Sequence, residues 1–213
     1  MNLEDAIEDI MRRSPQDSTT LAPLADYAKV KLDEFGLPGV RGGTGGELSV
    51  RGLARSKDWD VAYYFEDKPR LLVSLKSIWR NASGTVPNRL DDLMGEAANI
   101  QQLRPEIVIG YILLFDAQAD TIRKEDGRYW SQFFEAAVKA ISIRRPPLWN
   151  QGLLEGTWFI KFDSQRPHGN RILEPEKVAQ EEREFFFSLL RELKRREPAI
   201  PFSKSIPDDN MRH

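Results

Sequence analysis

The sequence contains no cysteine, only two histidines and no long hydrophobic run. Without cysteine, disulfide bonds and cysteine-ligated zinc are excluded. Two histidines are also too few for a multi-histidine metal centre. No apolar stretch approaches the roughly 20 residues that a transmembrane helix needs. We therefore expect a soluble, cytoplasmic protein that has no membrane partner.

A strong excess of either charge is also missing. The chain carries 31 Lys+Arg against 33 Asp+Glu, for a formal net charge of −2. This balance argues against a globally basic surface for nucleic acid, but it is compatible with a local basic cleft, because steering depends on where charges lie. The 213 residues, 40% of them hydrophobic, are typical of one domain with a sizeable core. We expect a helical N-terminal part (1–36), a core (about 45–196) and a flexible C-terminal tail (198–213).

Helix-like and strand-like patterns alternate along the chain. This order predicts an α/β fold in which helices flank a mixed β-sheet. Helices are predicted at 3–11, 19–35, 89–103, 128–143 and 175–196, and strands at 47–53, 59–65, 71–78, 107–115 and 157–162. The second and third strands are expected to pair as an antiparallel hairpin. Residues 36–46 hold six glycines and a proline, which predicts a loop.

The hairpin carries the most informative residues of the sequence. Asp60 lies at the start of one predicted strand, and Ser74 and Lys76 lie two positions apart on the next. Because strand side chains alternate, Ser74 and Lys76 point to the same face. Lysine is seldom buried without a partner, and Asp60 can lie beside it if the strands pair. A carboxylate and an ammonium in one pocket suit metal-assisted phosphodiester hydrolysis, with Mg²⁺ held by oxygen ligands.

One carboxylate is normally too few for such a metal site, and Ser74 is a poor substitute for a second one. The following helix offers acids on one face, because Arg89, Asp92 and Glu96 recur at helical spacing. We prefer Glu96 as the second acid, since the small residues beside it permit close approach to the sheet. Asp92, one turn earlier, is the alternative.

The segment Trp59-Asp60-Val61, twelve further residues and Ser74-Leu75-Lys76, followed by the helix, resembles the PD-(D/E)xK nuclease superfamily. Within it, the pattern is most similar to type II restriction endonucleases. The resemblance covers roughly residues 45–115, about a third of the chain. It implies a restriction-endonuclease-like core and a homodimer that cuts double-stranded DNA with Mg²⁺ or Mn²⁺.

Carried over residue by residue, the resemblance makes Asp60 a metal ligand and Lys76 the catalytic lysine. Ser74 stands where the superfamily has its second acid. Some similar restriction enzymes also have serine there and recruit a glutamate from the next helix, which implies Glu96 or Asp92 as the second metal ligand. Glu47 is available as a further acid.

Basic residues near this pattern are candidates for contacts with the DNA backbone, which is bound mainly through positive charge. They are Arg51, Arg55, Lys57, Arg80 and Arg89. Simpler interpretations stand beside these assignments. Asp60 and Lys76 could form an ordinary cross-strand ion pair, and the helical acids could be a solvated face. The serine also leaves open a catalytically impaired DNA-binding or assembly module, and a third possibility is a nonspecific repair or mobile-element nuclease.

Overall fold

The computed structural model describes residues 2–13, 19–144 and 152–207. Within these ranges the chain forms five α-helices and seven β-strands. In chain order they are α1 (Leu3–Met11), α2 (Ala22–Glu34), β1 (Arg41–Gly42), β2 (Leu48–Arg51), β3 (Ser56–Trp59), β4 (Val61–Phe65), β5 (Lys68–Ile78), α3 (Ala82–Gln101), β6 (Val108–Asp116), α4 (Trp130–Ile141), β7 (Gly156–Phe162) and α5 (Pro175–Arg196).

Five of the strands form one mixed sheet in the order β1-β4-β5-β6-β7. The pairs β1–β4 and β4–β5 are antiparallel, whereas the pairs β5–β6 and β6–β7 are parallel. One core cluster joins α1, α2 and α5 to the sheet, and a second joins α3 and α4 to it. The predicted α/β fold with helices flanking a mixed sheet is therefore confirmed.

The predicted hairpin is present as β4 and β5. Val61 pairs with Val73 in antiparallel register. The connecting residues Glu66 and Asp67 both have positive φ angles, of 49° and 59°. A two-residue turn with both residues in the left-handed region matches the twist of the flanking strands. Because the turn is this tight, β5 begins at Lys68 and not at the predicted residue 71.

The strand predicted at 59–65 is interrupted at Asp60. Residues before it belong to β3, which pairs only with β2 in a separate two-stranded sheet. Residues after it belong to β4 in the main sheet. The strand pattern of residues 59–65 could not reveal this change of sheet, because both segments are strand-like. Asp60 consequently lies at the junction of the two sheets.

Helix α3 begins at Ala82, seven residues before the predicted start at 89. Asn81, in the left-handed region, caps it by accepting a hydrogen bond from the Gly84 amide. Asn88 directly precedes the predicted start of the helix, where a capping residue would lie. It is instead inside the helix and donates a hydrogen bond from its side-chain amide to the Gly84 carbonyl. Pro87 is also inside the helix. The burial of residues in this first part of α3 offsets the backbone hydrogen bond that proline cannot make.

The glycine-rich loop is fastened to α2. The Thr44 amide donates to the Asp26 carboxylate, and the Lys29 ammonium donates to the Gly42 carbonyl. Gly43 has a φ of +69°, and a β-carbon there would lie 2.1 Å from an Asp26 oxygen. Glycine is therefore required by both backbone conformation and space. The loop also contributes β1, which lies before the predicted start of the core at residue 45.

The segment 198–207 differs from the expected flexible tail. Ile200 and Ile206 are buried in the same core cluster as α1, α2 and α5. The Ser203 amide donates to the Gly36 carbonyl, and the Lys204 ammonium donates to the Glu34 carbonyl. Two well-spaced isoleucines are enough to hold this polar stretch against the core. The remainder of the predicted tail, 208–213, lies outside the described residues. Among the helices that the structure describes, none combines the length and apolarity needed to span a bilayer.

Candidate active site

Asp60 is held against β5 by a backbone hydrogen bond. Its Oδ2 accepts from the Leu75 amide at 2.7 Å. The antiparallel register of β4 and β5 brings the start of β4 to this part of β5. The Asp60 carbonyl accepts a hydrogen bond from the Gly43 amide at 3.1 Å, so the glycine-rich loop holds this junction from the other side. The predicted proximity of Asp60 to the Ser74–Lys76 segment is thus observed.

Ser74 and Lys76 lie on the same face of β5, as strand alternation predicts. Ser74 is completely buried, and its hydroxyl has no hydrogen-bond partner of standard geometry among the described residues. In the parallel register of β5 and β6, Ser74 pairs with Tyr111. The position of the missing strand acid is therefore occupied by a small hydroxyl beside a tyrosine.

Helix α3 brings Glu96 into this pocket. The Glu96 side chain is only 6% exposed. Its Oε1 lies 2.8 Å from the Lys57 Nζ and 3.4 Å from the Lys76 Nζ. Its Oε2 accepts a hydrogen bond from the Tyr111 hydroxyl at 2.5 Å. One carboxylate therefore receives two ammonium groups and one phenol.

Asp92, the alternative helical acid, does not enter the pocket. Its side chain is 49% exposed and pairs with Arg89 on the same helix, at 3.3 Å from its Nη1. The two acids lie on the same face of α3 but about 6 Å apart along its axis, one turn from each other, so that only Glu96 is level with Lys76. Of the two candidates, the structure brings only Glu96 to Lys76.

Burial and the neighbouring charges shift the pKa values of the groups in the pocket. Burial raises the pKa of Asp60 above its usual value, and the Leu75 amide and the charge of Lys76 oppose this effect only in part. Burial likewise lowers the pKa of Lys76, against the attraction of Glu96. A lysine with a lowered pKa is better able to exchange a proton near neutral pH.

Glu96 and Lys57 behave in the opposite way. Burial acts to raise the pKa of Glu96, but the hydrogen bond from Lys57 and the charge of Lys76 lower it below its usual value. Burial acts to lower the pKa of Lys57, but the hydrogen bond and the charge of Glu96 raise it. The Tyr111 pKa lies well above its usual value because of burial and the nearby Glu96 charge. At neutral pH, Glu96 is thus an anion held by a cation and a neutral phenol.

Asp60, Lys57 and Lys76 line a polar cavity of about 210 Å³. Its charged lining residues are Glu47, Lys57, Asp58, Asp60, Lys76 and Arg89. A second cavity of about 260 Å³, bordered by the glycine-rich loop, shares Asp60 and Glu47 with the first. Asp60 and Glu47, the latter named from the sequence as a further acid, therefore lie between the two cavities.

The five basic candidates for DNA contact fall into two groups. Arg51 and Arg55 are exposed at the end of the β2–β3 ribbon, and Arg80 is exposed after β5. Lys57 and Arg89 instead line the cavity, and Lys57 is paired with Glu96. The sequence pattern grouped Lys57 with the exposed arginines, but its strand position directs it inward, on the same side as Val50 and Trp59.

Among the described residues, no group of three or more His, Cys, Asp or Glu side chains lies close enough together to hold a metal ion. Mg²⁺, however, keeps several waters and is commonly bound by one or two carboxylates together with substrate phosphates. Asp60 lines the polar cavity, and the charges of both Asp60 and Glu96 act on the pKa of Lys76. Two carboxylates near one lysine fit a cation that takes its other ligands from water and phosphate.

Tyr111 was not identified from the sequence as a site residue. It lies within the apolar run at 107–115, of which it is the only member with a hydrogen-bonding side chain. A buried tyrosine hydroxyl usually finds a partner, so this isolated polar group was the available signal. Its partner could not be named, because the register of β6 beside β5 is set by tertiary packing.

A scan of protein-family models finds no match to this chain, and searches of curated proteins and of solved structures find none either. The geometry of the pocket is therefore the basis for assigning a function.

Proposed function

We propose that the protein is a Mg²⁺-dependent endonuclease that hydrolyses phosphodiester bonds of double-stranded DNA, in the manner of a type II restriction enzyme. Mn²⁺ is the alternative cation. The observation that carries the proposal is the convergence of Asp60, Lys76 and Glu96 from the sheet junction, from β5 and from α3. Asp60 and Lys76 line one polar cavity, and Glu96 contacts Lys76. Three elements thus supply two carboxylates and one ammonium to one site.

In this proposal, Asp60 and Glu96 hold the divalent cation, which when bound polarises the scissile phosphate and lowers the pKa of a water molecule. Lys76 holds the attacking water and accepts its proton, a role that its lowered pKa favours. Arg89 and Lys57 add positive charge to the cavity wall, where negative charge develops on the phosphate oxygens. Ser74 contributes no charge and leaves the position of the second acid to Glu96.

A homodimer is part of the same proposal. Cutting both strands of a duplex requires two sites, and two identical subunits related by a two-fold axis match a palindromic target. We expect the enzyme to act in the cytoplasm, where its DNA substrate is present.

A catalytically impaired DNA-binding module is the second candidate, and one observation favours it. Glu96 is already engaged by two ammonium groups and by the Tyr111 phenol. If the cation cannot displace one of these partners, the pocket binds DNA phosphate without hydrolysing it. A nonspecific repair or mobile-element nuclease would use the same pocket without base readout.

The test is incubation of plasmid and linear duplex DNA with the protein in Mg²⁺, in Mn²⁺ and in EDTA. Discrete fragments that require the cation support the restriction-type enzyme, and a smear supports the nonspecific nuclease. DNA retention in a gel without cutting supports the impaired module. If the protein neither cuts nor retains DNA, the proposal that it acts on DNA is wrong.

Substitution of Lys76 by alanine tests the assignment of the pocket. We expect Lys76→Ala to reduce cutting by about a hundredfold or more, because a positioned proton acceptor contributes on that order. Lys68→Ala is the matched control, since Lys68 is an exposed lysine on the same strand. Thermal unfolding of both variants establishes that they fold. Cutting that persists in Lys76→Ala would contradict the assignment.

A further inference from the structure

The β2–β3 ribbon is a two-stranded sheet that stands apart from the main sheet. Its strands pair from Leu48 with Trp59 to Arg51 with Ser56. Alternate residues face inward, where Val50 and Trp59 are buried in the core next to α3. The opposite face is exposed. The ribbon is thus packed on one side and open on the other.

The tip of the ribbon, residues 52–55, is fixed by Asn99 of α3. The Ala54 amide donates to the Asn99 side-chain oxygen at 2.8 Å, and the Asn99 side-chain amide donates to the Arg55 carbonyl at 2.9 Å. The Leu53 amide donates to the Asn99 backbone carbonyl at 2.9 Å. Gly52 permits this approach, because a β-carbon there would lie 2.2 Å from the Asn99 amide nitrogen.

This fixed tip presents a leucine to solvent. Leu53 is 64% exposed, and no large hydrophobic residue among those described is more exposed. Arg51 and Arg55 flank it, and residues 48–57 contain no acid. Among the described residues, neither arginine forms an ion pair. An exposed leucine on a fixed tip, between two arginines without ion pairs, complements the apolar base stack and the charged backbone of nucleic acid.

The tip is close to the candidate active site, because both α3 and β3 connect the two over a few residues. Asn99 is three residues after Glu96 on α3, a rise of about 5 Å. Lys57 is two residues after Arg55 on β3, a distance of about 7 Å. A duplex whose phosphate occupies the cavity therefore extends over the tip.

We propose that the ribbon tip enters a groove of duplex DNA and that Leu53 wedges between neighbouring base pairs, while Arg51 and Arg55 bind the phosphates on either side. A two-stranded ribbon is narrow enough for the major groove, and an apolar side chain inserted between base steps partially unstacks them. The inference rests on the proposed function, because it takes duplex DNA as the substrate.

The test uses Lys76→Ala protein, which binds without cutting, and two measurements that need no knowledge of the target sequence. Fluorescence anisotropy with a labelled duplex gives affinity, and relaxation of a plasmid by topoisomerase at saturating protein gives the change in linking number. A wedged side chain unwinds the duplex and therefore changes the linking number.

Addition of Leu53→Ala is expected to abolish the change in linking number and to weaken binding by about tenfold. Leu53→Met should retain both properties, because it keeps the apolar volume. Arg55→Ala should weaken binding and reduce the slope of log affinity against log salt by about one, while retaining the linking change at saturation. Ile122→Ala is the matched control, since Ile122 is an aliphatic residue that is 60% exposed outside the tip.

The outcomes separate this inference from the proposed function. Cation-dependent cutting by the unmodified protein, together with an unchanged linking number or with no effect of Leu53→Ala, would overturn the wedge and leave the nuclease standing. Failure of the protein to bind any duplex would overturn both. Because Leu53 is exposed, the thermal midpoint of Leu53→Ala should match that of its parent.

Discussion

Two buried glutamates of this molecule each lie between two cations, and their surroundings differ. Glu155 is completely buried, with its Oε1 at 2.7 Å from both the Arg144 Nη1 and the Arg196 Nη2. Its Oε2 accepts from the Ile109 amide at 2.6 Å. Both guanidinium groups also donate to the Ile107 carbonyl. The arginine forks thus bridge a carboxylate to the backbone.

Glu96 has lysines in the same two places. The Lys57 and Lys76 ammonium groups contact its Oε1 and also line an open polar cavity. An ammonium on a flexible stem can exchange partners and change its protonation, whereas a buried guanidinium stays charged. The comparison shows that two clusters with similar charges differ in their surroundings: the arginine cluster joins strands and helices in the interior, whereas the lysine cluster borders a cavity.

The largest loss of stability is expected when the carboxylate of the arginine cluster is removed. Glu155→Ala leaves Arg144 and Arg196 buried without their carboxylate, so we expect a loss of about 3–5 kcal/mol in unfolding free energy. Urea unfolding measures this loss, and Glu155→Gln, which keeps the volume, should lose less. Glu96→Gln is the paired variant, and its loss should be smaller because both lysines reach the solvent-filled cavity. Equal losses at the two glutamates would remove the distinction between the clusters.

The next largest effect is expected on metal affinity, when the hydroxyl of Tyr111 is removed from the lysine cluster. Tyr111→Phe removes the hydrogen bond that orients Glu96, and such outer partners typically change metal affinity by about tenfold or more. Calorimetric titration of the DNA-free protein with Mn²⁺ measures the affinity directly. Tyr63→Phe removes a hydroxyl from a buried tyrosine on β4 and is the control. If Tyr111→Phe has no effect in a Glu96→Gln background, the phenol acts through Glu96, whereas a purely structural tyrosine would have the same effect in both.

The pH dependence of stability gives a smaller effect. The pKa of Glu96 is lowered from the ordinary value of 4.5, because the Lys57 hydrogen bond and the Lys76 charge outweigh burial. Its ionised form therefore stabilises the folded state above the unfolded pKa, and this contribution is lost as pH falls through the folded pKa. In metal-free buffer, the stability difference between the unmodified protein and Glu96→Gln should be constant above pH 5 and shrink below about 4.5. A difference that grows on acidification would have the wrong sign.

The smallest effect is expected at Asp92. Its exposed pair with Arg89 is of a kind that contributes little, so Asp92→Asn should change unfolding free energy by less than about 0.5 kcal/mol. Cutting should remain within about twofold, in contrast to Glu96→Gln. A loss of cutting at Asp92 that matches the loss at Glu96 would reverse the choice between the two helical acids.

Much of the fold could be predicted, because it follows from local periodicity. The bounds of α1 and α5 agree with the predicted ranges 3–11 and 175–196. Their apolar stripes and polar flanks are complete within the segment itself. The predicted start of α3 at residue 89 was wrong, because Gly84 and Pro87 are typical of a break in a helix. Only the burial of residues in the first turns offsets the free-energy cost of placing them in a helix.

The candidate site divides in the same way. Asp60 and Lys76 could be brought together from strand pairing and alternation. The choice of Glu96 over Asp92 depended on how far α3 extends along β5, because two acids one turn apart on the same face differ mainly in their position along the helix axis. Tyr111 and the inward direction of Lys57 depended on the parallel register of β6 and on the separate ribbon. Contacts between elements distant in sequence have no local signature.

The chain leaves the β2–β3 ribbon and enters the main sheet through one residue, Asp60. This residue is held on every side: its carbonyl accepts from the Gly43 amide, its carboxylate accepts from the Leu75 amide, and Trp59 before it is buried in the core. The direction of its carboxylate is therefore set jointly by both sheets, and a substitution that displaced either sheet would have to break one of these contacts.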